Sequence, residues 1–163
     1  MTATDDLLRN NAAYAARFDK GALPRAPGKH VAVVTCMDAR MDIFGILGLG
    51  EGDANVIRNS GGVVTDDVIR SLAISQRLLG TREVVLVMHT DCGMHGLVDT
   101  EFRDRVQSEA RLRPPWATEG FADLEQALRE GVARVRTSPF LPHTGAVRGF
   151  VYEVETGRLR EVG

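Results

Sequence analysis

Short apolar runs alternate with amphipathic helical segments along this chain, and that alternation constrains the fold more than any other feature. His30–Cys36 and Glu83–His89 are rich in valine and read as buried strands. Between them, Thr65 and the two acids after it are typical of a helix start, and Gly80 of a helix end. Strands that alternate with helices predict an α/β domain with a mainly parallel sheet.

The same patterns place the remaining elements. Further strands are expected at Asn55–Arg58, Ala146–Val154 and Leu159–Val162, and further helices from Thr4 to about Phe18, around Ile43–Leu47, at Asp99–Arg111 and at Ala122–Arg136. The last strand follows a hairpin turn, so it should be an edge strand. We expect one domain over residues 1–163, in which residues 1–29 form an N-terminal arm of helix and Gly/Pro-rich linker. Such a tethered helix often packs away from its own domain, for example on a partner subunit.

Composition and charge exclude several classes of function. The 20 basic and 22 acidic side chains nearly balance, so nothing favours a nucleic acid or an anionic membrane as partner. No secretory signal pattern is seen at the start, and no apolar run approaches the roughly 20 residues that span a bilayer. The expected location is the cytoplasm.

The two cysteines, Cys36 and Cys92, are the candidate functional residues. In a reducing compartment they are inert core thiols, a reactive thiol or metal ligands. Cys36 and His89 each end a predicted strand, and side chains that follow parallel strands meet at the carboxyl edge of the sheet. The spacing His89-Thr-Asp-Cys92 lets two side chains chelate one ion, and Cys36 would be the third ligand. Thiolate sulfur and imidazole nitrogen are ligands that zinc prefers.

Asp38 and Arg40 follow the first cysteine at alternate positions. If the backbone stays extended there, Cys36, Asp38 and Arg40 point to one side, and a charge-assisted pair can form beside the metal. Taken alone, an Asp-x-Arg sequence is usually a surface ion pair.

Three segments taken in order resemble the β-class carbonic anhydrases: Cys36-Met-Asp38-Ala-Arg40, Arg58-Asn-Ser-Gly61-Gly62 and His89-Thr-Asp-Cys92-Gly93. The resemblance implies zinc on Cys36, His89 and Cys92 and a catalytic Asp38–Arg40 dyad. It also implies a core sheet of about four parallel strands, with an antiparallel edge strand, and a dimer embraced by its N-terminal helices, which could pair into a tetramer. The sequence departs from the common family pattern at Ser60 and Met88.

The implied reaction is the reversible hydration of carbon dioxide to bicarbonate and a proton, by zinc-bound hydroxide that Asp38 orients and Arg40 supports. Two thiolates leave such a centre near neutral, so we expect activity to rise above neutral pH. In some members of the family that the chain resembles, this Asp binds the metal in place of water, and our hypothesis is that Asp38 can do so here at low pH. Gly61 and Gly62 precede a helix start, where backbone N–H groups can face an anion, or simply form a turn. Asp91 could orient the ligands. His95 could carry protons, although a solvent-facing loop histidine is the plainer interpretation.

Three alternatives remain open on the sequence. Carbonyl sulfide and carbon disulfide hydrolases resemble the same family and share its ligands. A non-catalytic zinc module would normally have a fourth Cys or His ligand. A metal-free Cys–His nucleophile would leave one cysteine without a role.

Overall fold

In the part of the chain that the structure describes, five strands form a single sheet in the order β2-β1-β3-β4-β5. The computed structural model describes residues 2–163. The strands are β1 (Val31–Cys36), β2 (Ala54–Asn59), β3 (Glu83–His89), β4 (Val147–Glu153) and β5 (Arg158–Val162). The first four run parallel and β5 pairs antiparallel with β4 at the edge, which confirms the predicted fold class.

Five α-helices within residues 2–163 connect or flank the strands. They are α1 (Ala3–Ala15), α2 (Ile43–Leu47), α3 (Asp66–Leu79), α4 (Asp99–Ala110) and α5 (Leu124–Arg136). Left-handed glycines end two of them, Gly48 after α2 and Gly80 after α3. The expected ends of α1 are wrong. Thr2, not Thr4, caps this helix, because the side chains of Thr2 and Asp5 bond each other's backbone N–H, and the helix stops at Ala15 rather than Phe18.

Alternation along the strands divides the core into two layers. On one face, α3 and α5 bury residues such as Leu72 and Leu128 against Val34 and Leu86. On the other face, Val33 and Val87 pack with a smaller group that contains Met41, Ile43 and both cysteines. The candidate ligands therefore lie on the face covered by α2, at the carboxyl ends of β1 and β3.

The N-terminal helix stands apart from both layers. None of its residues is buried, and Leu7 and Leu8 are 66% and 64% exposed. A side-chain hydrogen bond to the body runs from the Tyr14 hydroxyl to Glu51, at 2.8 Å. Packing of this helix on a partner subunit stays a prediction. No helix in residues 2–163 combines the length and apolarity needed to cross a membrane.

Candidate metal centre

Cys36, His89 and Cys92 come together at one point of the sheet edge. One ligand atom from each lies within 4.8 Å of the other two. Cys36 and His89 are the last residues of β1 and β3, which are parallel neighbours. Cys92 arrives through a tight turn in which Asp91 takes a left-handed conformation (φ 53°). All three residues are buried, so the cluster is largely shielded from bulk water.

The hydrogen bonds of His89 leave one ring nitrogen free for a metal. Its Nδ1 lies 2.8 Å from the carbonyl oxygen of Thr90. Because a carbonyl can only accept, Nδ1 donates, and in the neutral ring the lone pair is on Nε2. Within the described structure, Nε2 is buried without any hydrogen-bond partner. A buried lone pair that faces two thiols fits a metal ion, and zinc suits this donor set.

The thiol of Cys92 sits in surroundings that resist ionisation. Burial raises its pKa, and the nearby Cys36 and Asp38 raise it further, while the backbone N–H of Met94 acts in the opposite direction. A bound cation would reverse this balance, because a coordinated thiol is deprotonated. The site therefore needs a metal to hold two thiolates side by side.

Asp38 and Arg40 form the expected pair, although not by the expected backbone path. The strand ends at Cys36 and the chain turns instead of staying extended. In this turn the Asp38 Oδ1 accepts a hydrogen bond from the Arg40 backbone N–H at 2.9 Å and from Arg40 Nε at 3.0 Å. A second side-chain bond, from Arg40 Nη2 to Asp38 Oδ2, measures 2.8 Å. The extended geometry predicted from alternate spacing is therefore wrong here, because a local turn brings the two side chains together.

The pair holds a charged carboxylate beside the histidine. Asp38 Oδ2 lies 3.8 Å from His89 Nε2. The pKa of Asp38 falls well below its usual range, first because of the Arg40 side-chain bonds and then because of the Arg40 backbone N–H. The Arg40 bonds therefore favour the anionic form of Asp38, which is a hydrogen-bond acceptor.

Two positioning contacts escaped the sequence analysis. Arg58, from the end of β2, donates Nε to the Cys36 carbonyl at 2.9 Å and Nη2 to the Asp38 carbonyl at 2.8 Å. Asp91 contacts Arg40 through its carboxylate, rather than the metal ligands themselves. Arg58 begins one of the three segments that carry the family resemblance. Its partners here are backbone carbonyls, so no acidic residue in the sequence indicates the contact.

Gly61 and Gly62 lie in a 3-10 turn at Ser60–Gly62, next to the cluster. A Cβ on Gly62 would meet the Cys36 backbone nitrogen at 2.9 Å and the Val87 carbonyl oxygen at 3.2 Å, so this glycine lets the turn press against both strand ends. Anion contacts by these two glycines stay a prediction. His95 is exposed and its Nε2 lies 2.9 Å from the Ala122 carbonyl.

A cavity of about 490 Å³ lies beside the cluster. Met94, which packs against the buried group of both cysteines, is part of its wall. Its lining is mainly apolar and includes Val63, Leu97, Phe102 and Trp116. Met88, in contrast, is buried in the core under α3 and α5 and does not shape this wall.

The fold and the cluster define an α/β protein with a buried Cys-His-Cys site, at the carboxyl edge of a parallel sheet, that could hold a metal ion. A family model described as carbonic anhydrase matches residues 31–113. The β-carbonic anhydrase 1 of Mycobacterium tuberculosis is 54% identical over 162 residues, which cover 99% of each chain. The chain therefore belongs to the β-carbonic anhydrase family.

Solved structures and a second group of relatives agree with this membership. The crystal structure of a carbonic anhydrase from Streptococcus mutans superposes with a TM-score of 0.93 at 41% identity and covers 100% of this chain and 99% of its own. A carbonic anhydrase from Glaciozyma antarctica gives a TM-score of 0.85 at 44% identity, with 96% and 95% covered. A carbon disulfide hydrolase from Acidianus is 34% identical over 181 residues, 96% of this chain and 87% of that protein.

Proposed function

We propose that this chain catalyses the reversible hydration of carbon dioxide to bicarbonate and a proton, with zinc held by Cys36, His89 and Cys92. The observation that carries the proposal is the buried, unpartnered Nε2 of His89 beside two thiols. The relation to carbonic anhydrases at 54% and 41% identity supports the reaction. The donor set supports zinc as the metal.

Zinc, when bound, supplies the acidity that lets a water molecule lose a proton near neutral pH. The residues of the chain orient that water and keep the site in shape. Asp38 accepts a hydrogen bond from the attacking water and so directs its lone pair toward the substrate carbon. Arg40 holds the Asp38 carboxylate by two side-chain bonds, and Arg58 fixes the backbone on either side of it. The N–H groups of Gly61 and Gly62 are proposed contacts for the bicarbonate anion.

Assembly and location complete the proposal. A homodimer in which α1 covers the partner would bury Leu7 and Leu8, whose side chains otherwise lie in water. Pairing of dimers into a tetramer is the larger assembly that we consider. The cytoplasm is the proposed location.

Stopped-flow measurement of carbon dioxide hydration at alkaline pH, on protein of known zinc content, tests the proposal. Fast hydration with one zinc per chain is expected, and Cys92→Ser should lose both metal and activity. Zinc-loaded protein that does not hydrate carbon dioxide would contradict the reaction, and protein that takes up no zinc would contradict the site. Glu109→Gln, an exposed change on α4, is the matched control and should change neither.

A second candidate is the hydrolysis of carbon disulfide or carbonyl sulfide at the same metal. The apolar cavity beside the cluster and the 34% identical carbon disulfide hydrolase favour it. These hydrolases are more distant relatives than the carbonic anhydrase at 54% identity, so the hydration of carbon dioxide is preferred. Release of sulfide from either substrate, faster than hydration of carbon dioxide, would reverse the preference.

The structure also bears on the two remaining alternatives. Within residues 2–163 the cluster has three Cys and His ligands and no fourth, which is the composition of an open rather than a closed zinc site. A metal-free cysteine nucleophile needs a lowered thiol pKa, whereas burial raises the pKa of Cys92.

A further inference from the structure

Asp91 holds the far side of the Arg40 guanidinium. Its carboxylate Oδ2 accepts a hydrogen bond from Arg40 Nη1 at 2.7 Å, and its backbone carbonyl accepts one from Arg40 Nη2 at 2.9 Å. Asp38 takes the other side, through Nε and Nη2. Four of the five N–H donors of Arg40 are thus engaged, two by each aspartate.

The turn between the two ligands aims Asp91 at the arginine. Asp91 adopts a left-handed conformation, with φ 53°, between His89 and Cys92. Aspartate tolerates the left-handed region better than most residues do, but this conformation is not itself favourable for it. Its carbonyl and its carboxylate both point at Arg40, so the loop that carries two metal ligands is tied directly to the dyad.

Exposure decides what kind of contribution this contact makes. The Asp91 side chain is 78% exposed, whereas that of Asp38 is 18% exposed. An ion pair so open to water adds little to the stability of the fold. Its effect is geometric, because a guanidinium that loses the carboxylate at Nη1 keeps only the carbonyl bond on that side and can pivot, and Asp38 would move with it.

We propose that Asp91 is a positioning residue for the reaction: it fixes Arg40 against the ligand turn, and Arg40 in turn fixes the carboxylate of Asp38 beside the metal. This inference rests on the proposed function for its effect on catalysis, but the contact itself belongs to the metal-free protein. The described side-chain contact of Asp91 is with Arg40 and not with the ligand atoms of the cluster. Removing its carboxylate should therefore leave zinc content unchanged and reduce kcat more than it changes KM.

Two substitutions suit the left-handed backbone at this position. Asp91→Gly removes the carboxylate and keeps the carbonyl acceptor, and Asp91→Asn keeps a side-chain oxygen but loses the charge. Glu109→Gln breaks another exposed ion pair, with Arg105 on α4, and is the matched control. Each variant is measured for zinc content, for kcat and KM of carbon dioxide hydration, and for hydrogen exchange of the Arg40 Nε–H by NMR in the metal-free protein.

Asp91→Gly should lower kcat roughly 10-fold, the low end for residues that surround a metal site without binding the ion, with Asp91→Asn less affected and Glu109→Gln equal to the wild type. The Arg40 Nε–H should exchange faster in Asp91→Gly even without metal. Unchanged exchange in that variant would overturn the inference whatever the kinetics show. Loss of zinc from both Asp91 variants would also overturn it, because the residue would then act on the ligand turn. Inactive wild-type protein refutes the proposed function instead, and the exchange measurement still decides the role of Asp91.

Discussion

Gly62 is the position where a single added methyl group should damage both the fold and the metal centre. The residue has a left-handed backbone, with φ 68°. A Cβ there would lie 2.9 Å from the Cys36 nitrogen and 3.0 Å from the Thr35 carbonyl carbon, both of which are backbone atoms of β1. Backbone inside a sheet cannot move aside as a flexible side chain can, so the strand end must shift or the turn must open.

Two costs combine in Gly62→Ala. The left-handed conformation costs an alanine about 1–2 kcal/mol. Forcing one carbon into a filled site costs typically about 1–3 kcal/mol more. We therefore expect the free energy of unfolding to fall by roughly 2–5 kcal/mol, and zinc to bind more weakly because the strand end that moves carries the Cys36 ligand.

Other glycines of the same chain separate the two costs. Gly48 has a left-handed φ of 62° but nothing within 4 Å of its Cβ position, so Gly48→Ala measures the conformational cost alone. Gly145 has neither feature, and Gly145→Ala should be close to neutral. Urea unfolding of the metal-free variants, all at the same protein concentration, gives the three changes in the free energy of unfolding. If Gly62→Ala is destabilised no more than Gly48→Ala, the claim that the turn presses on the β1 backbone is wrong.

Three further predictions concern separate parts of the molecule. Arg58→Gln should retain zinc but lose roughly 10- to 100-fold in kcat/KM, because two carbonyls beside the ligands lose their donor; unchanged kinetics would contradict this. The pKa of Asp99 is lowered chiefly by the Thr118 backbone N–H, so its charge stabilises the fold above the ordinary carboxyl pKa of about 3.9. Asp99→Asn should therefore be less stable than wild type at neutral pH, with a gap in unfolding midpoint that closes as the pH falls; a constant gap would refute the linkage. Replacing Leu7 and Leu8 by Ser should shift the protein toward monomer in sedimentation, and an unchanged mass would exclude α1 from the subunit interface.

The sequence was sufficient for the architecture because its signals are local. Valine-rich runs such as Glu83–His89 and glycine stops such as Gly80 depend only on neighbours in the chain, and they predicted strands and helices in their observed order. The convergence of Cys36 and His89 also followed, since the ends of parallel strands meet at one edge. Helix ends were harder, as at Thr2, where the choice between nearby capping residues depends on one side-chain contact.

The supporting contacts of the site could not be predicted from spacing. Arg58 binds backbone carbonyls, and every residue offers a carbonyl, so no sequence pattern marks its partners. The reach of Asp91 to Arg40 depends on a left-handed turn and on the separation of two strand ends. The turn at Asp38 replaced an expected extension because a side-chain bond to the Arg40 backbone outweighs the β preference of the strand before it.

Metal removal followed by titration with zinc tests the central claim most directly. The rate of carbon dioxide hydration is measured as zinc is added to protein stripped of metal by a chelator. The buffers are free of other transition metals, and the protein concentration is known. The account predicts no activity in the stripped protein and a rate that rises in proportion to zinc and levels off at one ion per chain. Activity in the stripped protein would contradict this claim. Zinc-dependent activity that is retained in Cys92→Ser would also contradict it.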